Sequence, residues 1–75
     1  MKHTIAILLQ NESGALTRVS SMFSTRGFNI DSLSVAPTKD PMISRLTLVT
    51  DVSDEQMDQA IKQLYKLIDV IDVLD

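Results

Sequence analysis

The stretch "LLQNESGALTRVSSMFSTRGFNIDSLSV", Leu8 to Val35, changes its hydrophobic period twice, and those two changes decide the fold. It is entered from an aliphatic run, "HTIAILL" (His3 to Leu9), which reads as a central strand apolar on both faces. Five small or polar residues follow, and then Leu16, Val19, Met22 and Phe23 recur at steps of three, three and one, which is a helical stripe. Ser13 suits the N-cap, since its hydroxyl can accept from a free amide of the first turn. Gly27 stands where a helix end calls for a left-handed residue, so the spacing predicts a helix over roughly Gly14 to Arg26. Beyond it, Leu33 and Val35 alternate with Ser32 and Ser34, as in a half-buried strand over Asn29 to Ala36. Ile30 is off that parity. Either a bulge near Asp31 reconciles it, or Ile30 faces a second apolar surface.

Both prolines then fall in "PTKDP", Pro37 to Pro41, a turn signal with charges at its tip. "MISRLTLVT", Met42 to Thr50, puts Ser44, Leu46 and Leu48 on one face and Arg45, Thr47 and Val49 on the other, completing a β-hairpin. Ser53 opens a second helix with Gln56 three residues on, the spacing of a capping box. Asp54, Glu55 and Asp58 lie near the positive end of that helix dipole, Lys62 and Lys66 nearer the negative end. Its apolar stripe is Met57, Ala60, Ile61, Leu64 and Leu67, and "VIDVL", Val70 to Leu74, reads as a short last strand. The order βαββαβ is the ferredoxin-like, α+β arrangement. Right-handed crossovers put both helices on one face of a four-stranded antiparallel sheet of order 4-1-3-2, with the second and fourth strands as edges.

Seventy-five residues make a single domain, 1–75, with a small core that a partner chain would help to cover. Cysteine is absent, so disulfides and thiolate metal sites are excluded. Seven basic against ten acidic residues, a net charge of −3, argue against nucleic acid or an anionic membrane as partner. The longest apolar run, Ile5 to Leu9, is too short to span a bilayer, and Lys2 and His3 lead straight into a strand rather than a signal peptide. A soluble, cytoplasmic chain is the expectation.

Enzyme constellations are missing. His3 is the only histidine and sits in the first strand; no G-x-S-x-G occurs, and two glycines cannot build a dinucleotide or phosphate fingerprint. Other uses of this fold fit poorly. The strands carry no aromatic for stacking RNA bases, a C-x-x-C metal loop is impossible, and Arg18 lacks the glycine-rich cradle of an acylphosphatase-like site. What remains is the turn before the first helix. Its first amides have no partner within the helix and can receive a carboxylate. Gly14 lets a ligand approach the backbone, and Asn11 offers both a donor and an acceptor, which suits a zwitterion. The same residue types also suit any strand-to-helix turn.

Leu8 to Thr50 contains Asn11, Gly14, Leu16, Arg18 and Val19 in an N-x-x-G-x-L-x-R-V pattern. Then come Phe23, Arg26, Gly27, Phe28, Asn29, Ile30, Ser32 and Leu33, followed by Val35 with Thr38 and by Ser44 to Thr47. In these runs, and more loosely through "KQLYKLIDVIDV", the chain resembles the ACT domain of the small regulatory subunit of acetohydroxyacid synthase (acetolactate synthase). The resemblance implies a non-catalytic module that pairs side by side into a homodimer through its second strands. It implies an amino-acid effector at that interface, typically valine, for feedback inhibition of branched-chain amino-acid synthesis. Asn11 and Gly14 would hold the effector's polar end with Ala15 and Leu16 beside it; Asn29 would reach in from the partner chain, and Ile30 would line the side-chain pocket. The catalytic subunit is the expected protein partner and would hold the thiamine diphosphate, FAD and magnesium, leaving no cofactor or metal here. Regulatory chains of that family generally continue past this point, so the match is to their ACT domain, without their C-terminal region. Two alternatives stand beside this: a docking and dimerisation module with little ligand binding, or an ACT sensor of another amino acid.

Overall fold

The computed structural model describes residues 2–12 and 14–74. Six elements follow in the order β1 (Lys2–Gln10), α1 (Ala15–Thr25), β2 (Ile30–Pro37), β3 (Ile43–Asp51), α2 (Asp54–Leu64) and β4 (Val70–Leu74). The strands form one antiparallel sheet of order β2-β3-β1-β4, which is the expected 4-1-3-2 read from its other edge. In register, Ile5, Ile7 and Leu9 of β1 lie opposite Leu48, Leu46 and Ser44 of β3. Those aliphatics are buried against Val19 and Phe23 of α1 and Met57, Ala60 and Leu64 of α2, so both helices cover the same face. The opposite face carries the other parity, including exposed Ser32 and Ser34 and half-buried Thr47.

Local chemistry sets the element ends. Gly27, at φ 74°, ends α1 in a Schellman motif: its N–H donates to Ser24 O at 3.0 Å, and Phe28 N–H donates to Phe23 O at 2.9 Å. The same two phenylalanines meet edge to face, ring centroids 6.1 Å apart. The bulge expected near Asp31 is present, since Ile30 pairs with Thr50 while Ser32 pairs with Val49. It returns Ile30 to the core side, where it packs half-buried, and the buried Thr50 hydroxyl donates to the Asn29 carbonyl beside it.

Two expectations need correcting. Helix α2 ends at Leu64, so Leu67 and Lys66 lie beyond it in the following turn; Leu67 still packs on the core. Leu16, counted in the buried stripe of α1, is 41% exposed, because it stands at the edge of the sheet where β2 gives incomplete cover. The expected Ser13 cap lies outside the described residues.

The two edges differ. On β4, the Val73 N–H lies 3.2 Å from Tyr65 Oη, and that hydroxyl in turn lies 2.9 Å from Asp72 Oδ1. The strand has five residues and a register shift opposite Leu8 and Leu9. Strand β2 has eight, and among the described residues no side chain bonds its backbone from Ile30 to Pro37. A long edge with free backbone groups is a template for another strand, whereas a short, bulged, side-chain-blocked edge is not.

Candidate functional site

Helix α1 begins at Ala15 with Gly14 at the N-cap, φ 86° and ψ −6°. Among the described residues no side chain caps it and its first turn holds no acid. The left-handed conformation calls for glycine, and a Cβ on Gly14 would stand 3.1 Å from the tip of the Arg18 side chain, at Nη1. The preceding loop is fixed by backbone bonds: Asn11 N–H to Met42 O at 2.7 Å, Glu12 N–H to Gln10 O at 2.8 Å and Ala15 N–H to Glu12 O at 3.2 Å. Among the described residues, then, no side chain or acid occupies the positive dipole end of α1.

Beside it is a cleft of about 210 Å³. Its apolar wall is Leu9, Ala15, Leu16 and Val35, and its polar lining is Gln10, Asn11, Glu12 and Ser44. Leu16 and Val35 are 41% and 49% exposed, so the cleft is open on the β2 side. One apolar wall, a set of acceptors and a helix start that no described side chain caps suit a small amphoteric molecule with an aliphatic side chain.

Under the turn, Arg18 Nε donates to Asp69 Oδ2. Asp69 is 3% exposed, and its carbonyl accepts the Gln10 N–H at 2.8 Å. The α2–β4 turn thus holds both sides of the β1–α1 junction. The hydrogen bond to Asp69 is the main cause raising the Arg18 guanidinium above its ordinary pKa; desolvation opposes it in part, and the charges of Asp69 and then Glu12 add to the rise.

The expected site residues separate into two groups. Asn11, Ala15 and Leu16 line the cleft, and Gly14 stands at the helix start next to it. The Asn11 side chain already donates to Pro41 O at 3.2 Å, which leaves Oδ1 as its remaining acceptor. Asn29, just before β2, and Ile30, its first residue, lie at the other end of the strand, about 16–20 Å from Val35. Asn29 donates to Asp31 Oδ1 at 3.0 Å. Residue-by-residue reading missed Leu9, Gln10, Glu12, Val35 and Ser44; hairpin register could have found Val35, which pairs with Leu46 on the helix-covered face. Arg18 with Asp69 carried no signal, being 51 positions apart.

Elsewhere, His3 Nε2 lies 3.0 Å from Asp54 Oδ1 at the start of α2, in ion-pair contact but without hydrogen-bond alignment, and has no nucleophile to serve. Among the described residues no cluster of three or more His, Cys, Asp or Glu side chains could hold a metal ion. No helix there is long and apolar enough to cross a membrane.

Residues 5–72 match a family model described as AHAS small subunit-like ACT domain. The chain is 52% identical over 73 residues to the acetolactate synthase isozyme 3 small subunit of Escherichia coli (strain K12), covering 97% of this chain and 45% of that protein. It is 51% identical over 73 residues to the probable acetolactate synthase small subunit of Archaeoglobus fulgidus, covering 97% and 46%. Among solved structures it is similar to the small subunit of acetolactate synthase from Thermotoga maritima, with a TM-score of 0.90 and 36% identity over 97% of this chain and 45% of that one. The chain thus spans about half the length of the curated relatives it matches.

Proposed function

The chain belongs to the AHAS small subunit-like ACT domain family, and from that premise we propose that it is a non-catalytic regulatory domain. It senses valine between two copies of itself and passes that state to an acetolactate synthase catalytic subunit. The observation that carries this is the apolar cleft of about 210 Å³ beside the start of α1, which no described side chain caps. In this reading the carboxylate of valine accepts from first-turn amides beside Gly14 other than that of Ala15, whose N–H is held by Glu12 O. Its isopropyl group lies on Leu9, Leu16 and Val35, and Asn11 Oδ1 and Glu12 accept from its ammonium group. Thiamine diphosphate, FAD and magnesium belong, in the same reading, to the catalytic subunit.

Energetics favour a second copy. Valine has roughly eight heavy atoms and small ligands gain at most about 1.5 kcal/mol per atom, so micromolar binding, about −8 kcal/mol, needs most of its surface covered. The cleft is open along β2, the edge whose backbone no described side chain blocks. A two-fold antiparallel pairing of β2 strands brings the beginning of one strand to the end of the other. Asn29 and Ile30 of the second copy then stand beside Val35, which supplies the missing wall. Valine binds the paired state better, and that differential affinity is the coupling free energy delivered to the catalytic subunit.

Thermal unfolding with each of the twenty amino acids tests the reading. Valine at a hundred times its dissociation constant is expected to add about 2.7 kcal/mol to stability. A response to valine and its close analogues alone supports it. No response to any would leave a docking and dimerisation module, and a response to an unrelated amino acid would make the chain a sensor of that compound.

A further inference from the structure

A second cleft, of about 330 Å³, lies at the same end of the molecule on the other side of the Gln10–Glu12 segment. It is lined by Gln10, Glu12, Asp40, Met42, Ile43 and Ile71. We propose that this cleft, which the effector does not use, docks a segment of the catalytic subunit that carries an aliphatic side chain next to a lysine or arginine. The inference rests on the docking part of the proposed function and assigns it a place.

The walls are held before any partner arrives. The turn between β2 and β3 is fastened by Met42 N–H to Asp40 Oδ1 at 2.9 Å, Ile43 N–H to Asp40 O at 3.0 Å and Thr38 Oγ1 to Ile43 O at 2.8 Å. Asn11 ties that turn to the β1–α1 loop through Met42 O and Pro41 O. On this rigid frame the apolar side chains face outward, Met42 65% exposed and Ile71 43% exposed. Ile68, 86% exposed, stands one residue before the Asp69 carbonyl that holds Gln10. Methionine adapts its shape to an incoming side chain, and outward aliphatics on a fixed frame anchor a partner by excluding water.

Charge names the occupant. Two of the lining residues, Glu12 and Asp40, are carboxylates and none is basic; Lys39, next in the turn, is not among them. An apolar floor with an acidic rim fits an aliphatic anchor flanked by a cation, and the rim charges set approach rate and salt dependence more than affinity. Gln10 and Glu12 also line the effector cleft. Both occupants therefore press on one segment, and linkage makes the effect mutual: valine changes affinity for the partner by the factor by which the partner changes affinity for valine.

The test is the affinity of the full chain for its catalytic subunit by calorimetry, in wild type and in Met42→Asp, Ile71→Asp and Asp40→Asn. Met42→Asp and Ile71→Asp are each expected to weaken binding by about tenfold or more, as loss of a buried anchor does. Asp40→Asn keeps the acceptor for Met42 N–H and is expected to flatten the dependence of binding on ionic strength. Sedimentation mass and the valine-induced thermal shift stay at wild-type values in Met42→Asp, whose side chain leaves the core untouched, so that variant stands should Ile71→Asp fold poorly. Wild-type binding with unchanged binding in the folded variants overturns the placement and leaves the docking reading intact. No binding by wild type removes the docking reading and this one with it. A change in sedimentation mass in Met42→Asp assigns the cleft to a second copy and overturns the proposal.

Discussion

The two helices begin in opposite ways. At α2, Ser53 Oγ accepts from Gln56 N–H at 3.1 Å, Gln56 Oε1 accepts from Ser53 N–H at 2.9 Å, and Asp54 and Glu55 fill the first turn. Side chains within a few positions supply the capping groups that an isolated helix start lacks. At α1 the N-cap is a glycine at φ 86°, no described side chain caps the helix, and the first turn has no acid. What holds that junction comes from far along the chain, through Arg18 and Asp69. The contrast is the ground on which the proposed effector site stands. The α2 start is complete by itself, while the α1 start is held rigid from below and left open above, which is what an anion site needs.

The largest expected effect comes from removing the support under α1. Arg18→Ala leaves the Asp69 carboxylate, 3% exposed, without its cation. Stranding a buried carboxylate is destabilising, and Arg18→Ala is expected to lower stability more than any other variant described below. Urea unfolding checks it, and adding Asp69→Asn to Arg18→Ala is expected to return part of the loss. The sign with pH is fixed: the guanidinium pKa is raised in the folded state, so the contribution is fully present below the ordinary guanidinium range and fades only above it. A cost under about 1 kcal/mol would show that the backbone bonds alone hold the junction.

Next is the open start itself. Gly14→Asp puts a carboxylate where the ligand's would lie, next to Arg18. The positive φ costs a non-glycine residue about 1–2 kcal/mol, less for aspartate, so the fold survives. The stabilisation by valine, about 2.7 kcal/mol at a hundred times its dissociation constant, is expected to disappear. Ser53→Asp, the matching change at the closed start, keeps a capping oxygen and is expected to leave the valine shift whole. A full valine response in Gly14→Asp would separate the effector from this helix start. Smaller again is Ser53→Ala, expected to lower stability by about 1 kcal/mol through loss of the cap while the valine shift persists. Melting curves with and without valine decide both.

Most of the fold was legible because local rules and tertiary packing agree. Periods of two and 3.6 gave six elements in order, Ser53 with Gln56 marked the capping box, and Gly27 marked the Schellman end of α1. The off-parity Ile30 was legible as a choice, and the bulge at Asp31 resolved it toward the core. Part of the first cleft was legible, in Asn11, Ala15 and Leu16, because these residues share one turn. The rest depends on neighbours brought together only by folding. Val35 and Ser44 reach the cleft from the hairpin, and Asp69 reaches Arg18 from the far end of the second crossover. Nothing local marks Asp69 as buried, since aspartate after a helix ordinarily faces water.

The smallest expected effect discriminates most sharply between the two helix starts. Thr17, exposed, is the third residue of α1, the position that Gln56 takes in α2 just after the acids Asp54 and Glu55, and it is still within the first turn. A carboxylate there meets the positive end of the dipole, so Thr17→Glu is expected to raise the stability of the ligand-free protein by about 0.3–1 kcal/mol, the more so at low salt. The same charge competes with the carboxylate of valine for the same field, so affinity for valine is expected to fall by a similar free energy, about two- to fivefold. Effects of opposite sign on stability and on affinity cannot arise from general damage to the fold. Placing glutamate at Gln59 of α2, past that helix's acidic first turn, is expected to move neither quantity by more than a few tenths. Denaturation in the absence of ligand and calorimetric titration with valine measure the two signs separately, and a rise in both would mean that the α1 dipole stabilises the helix without ever meeting the effector.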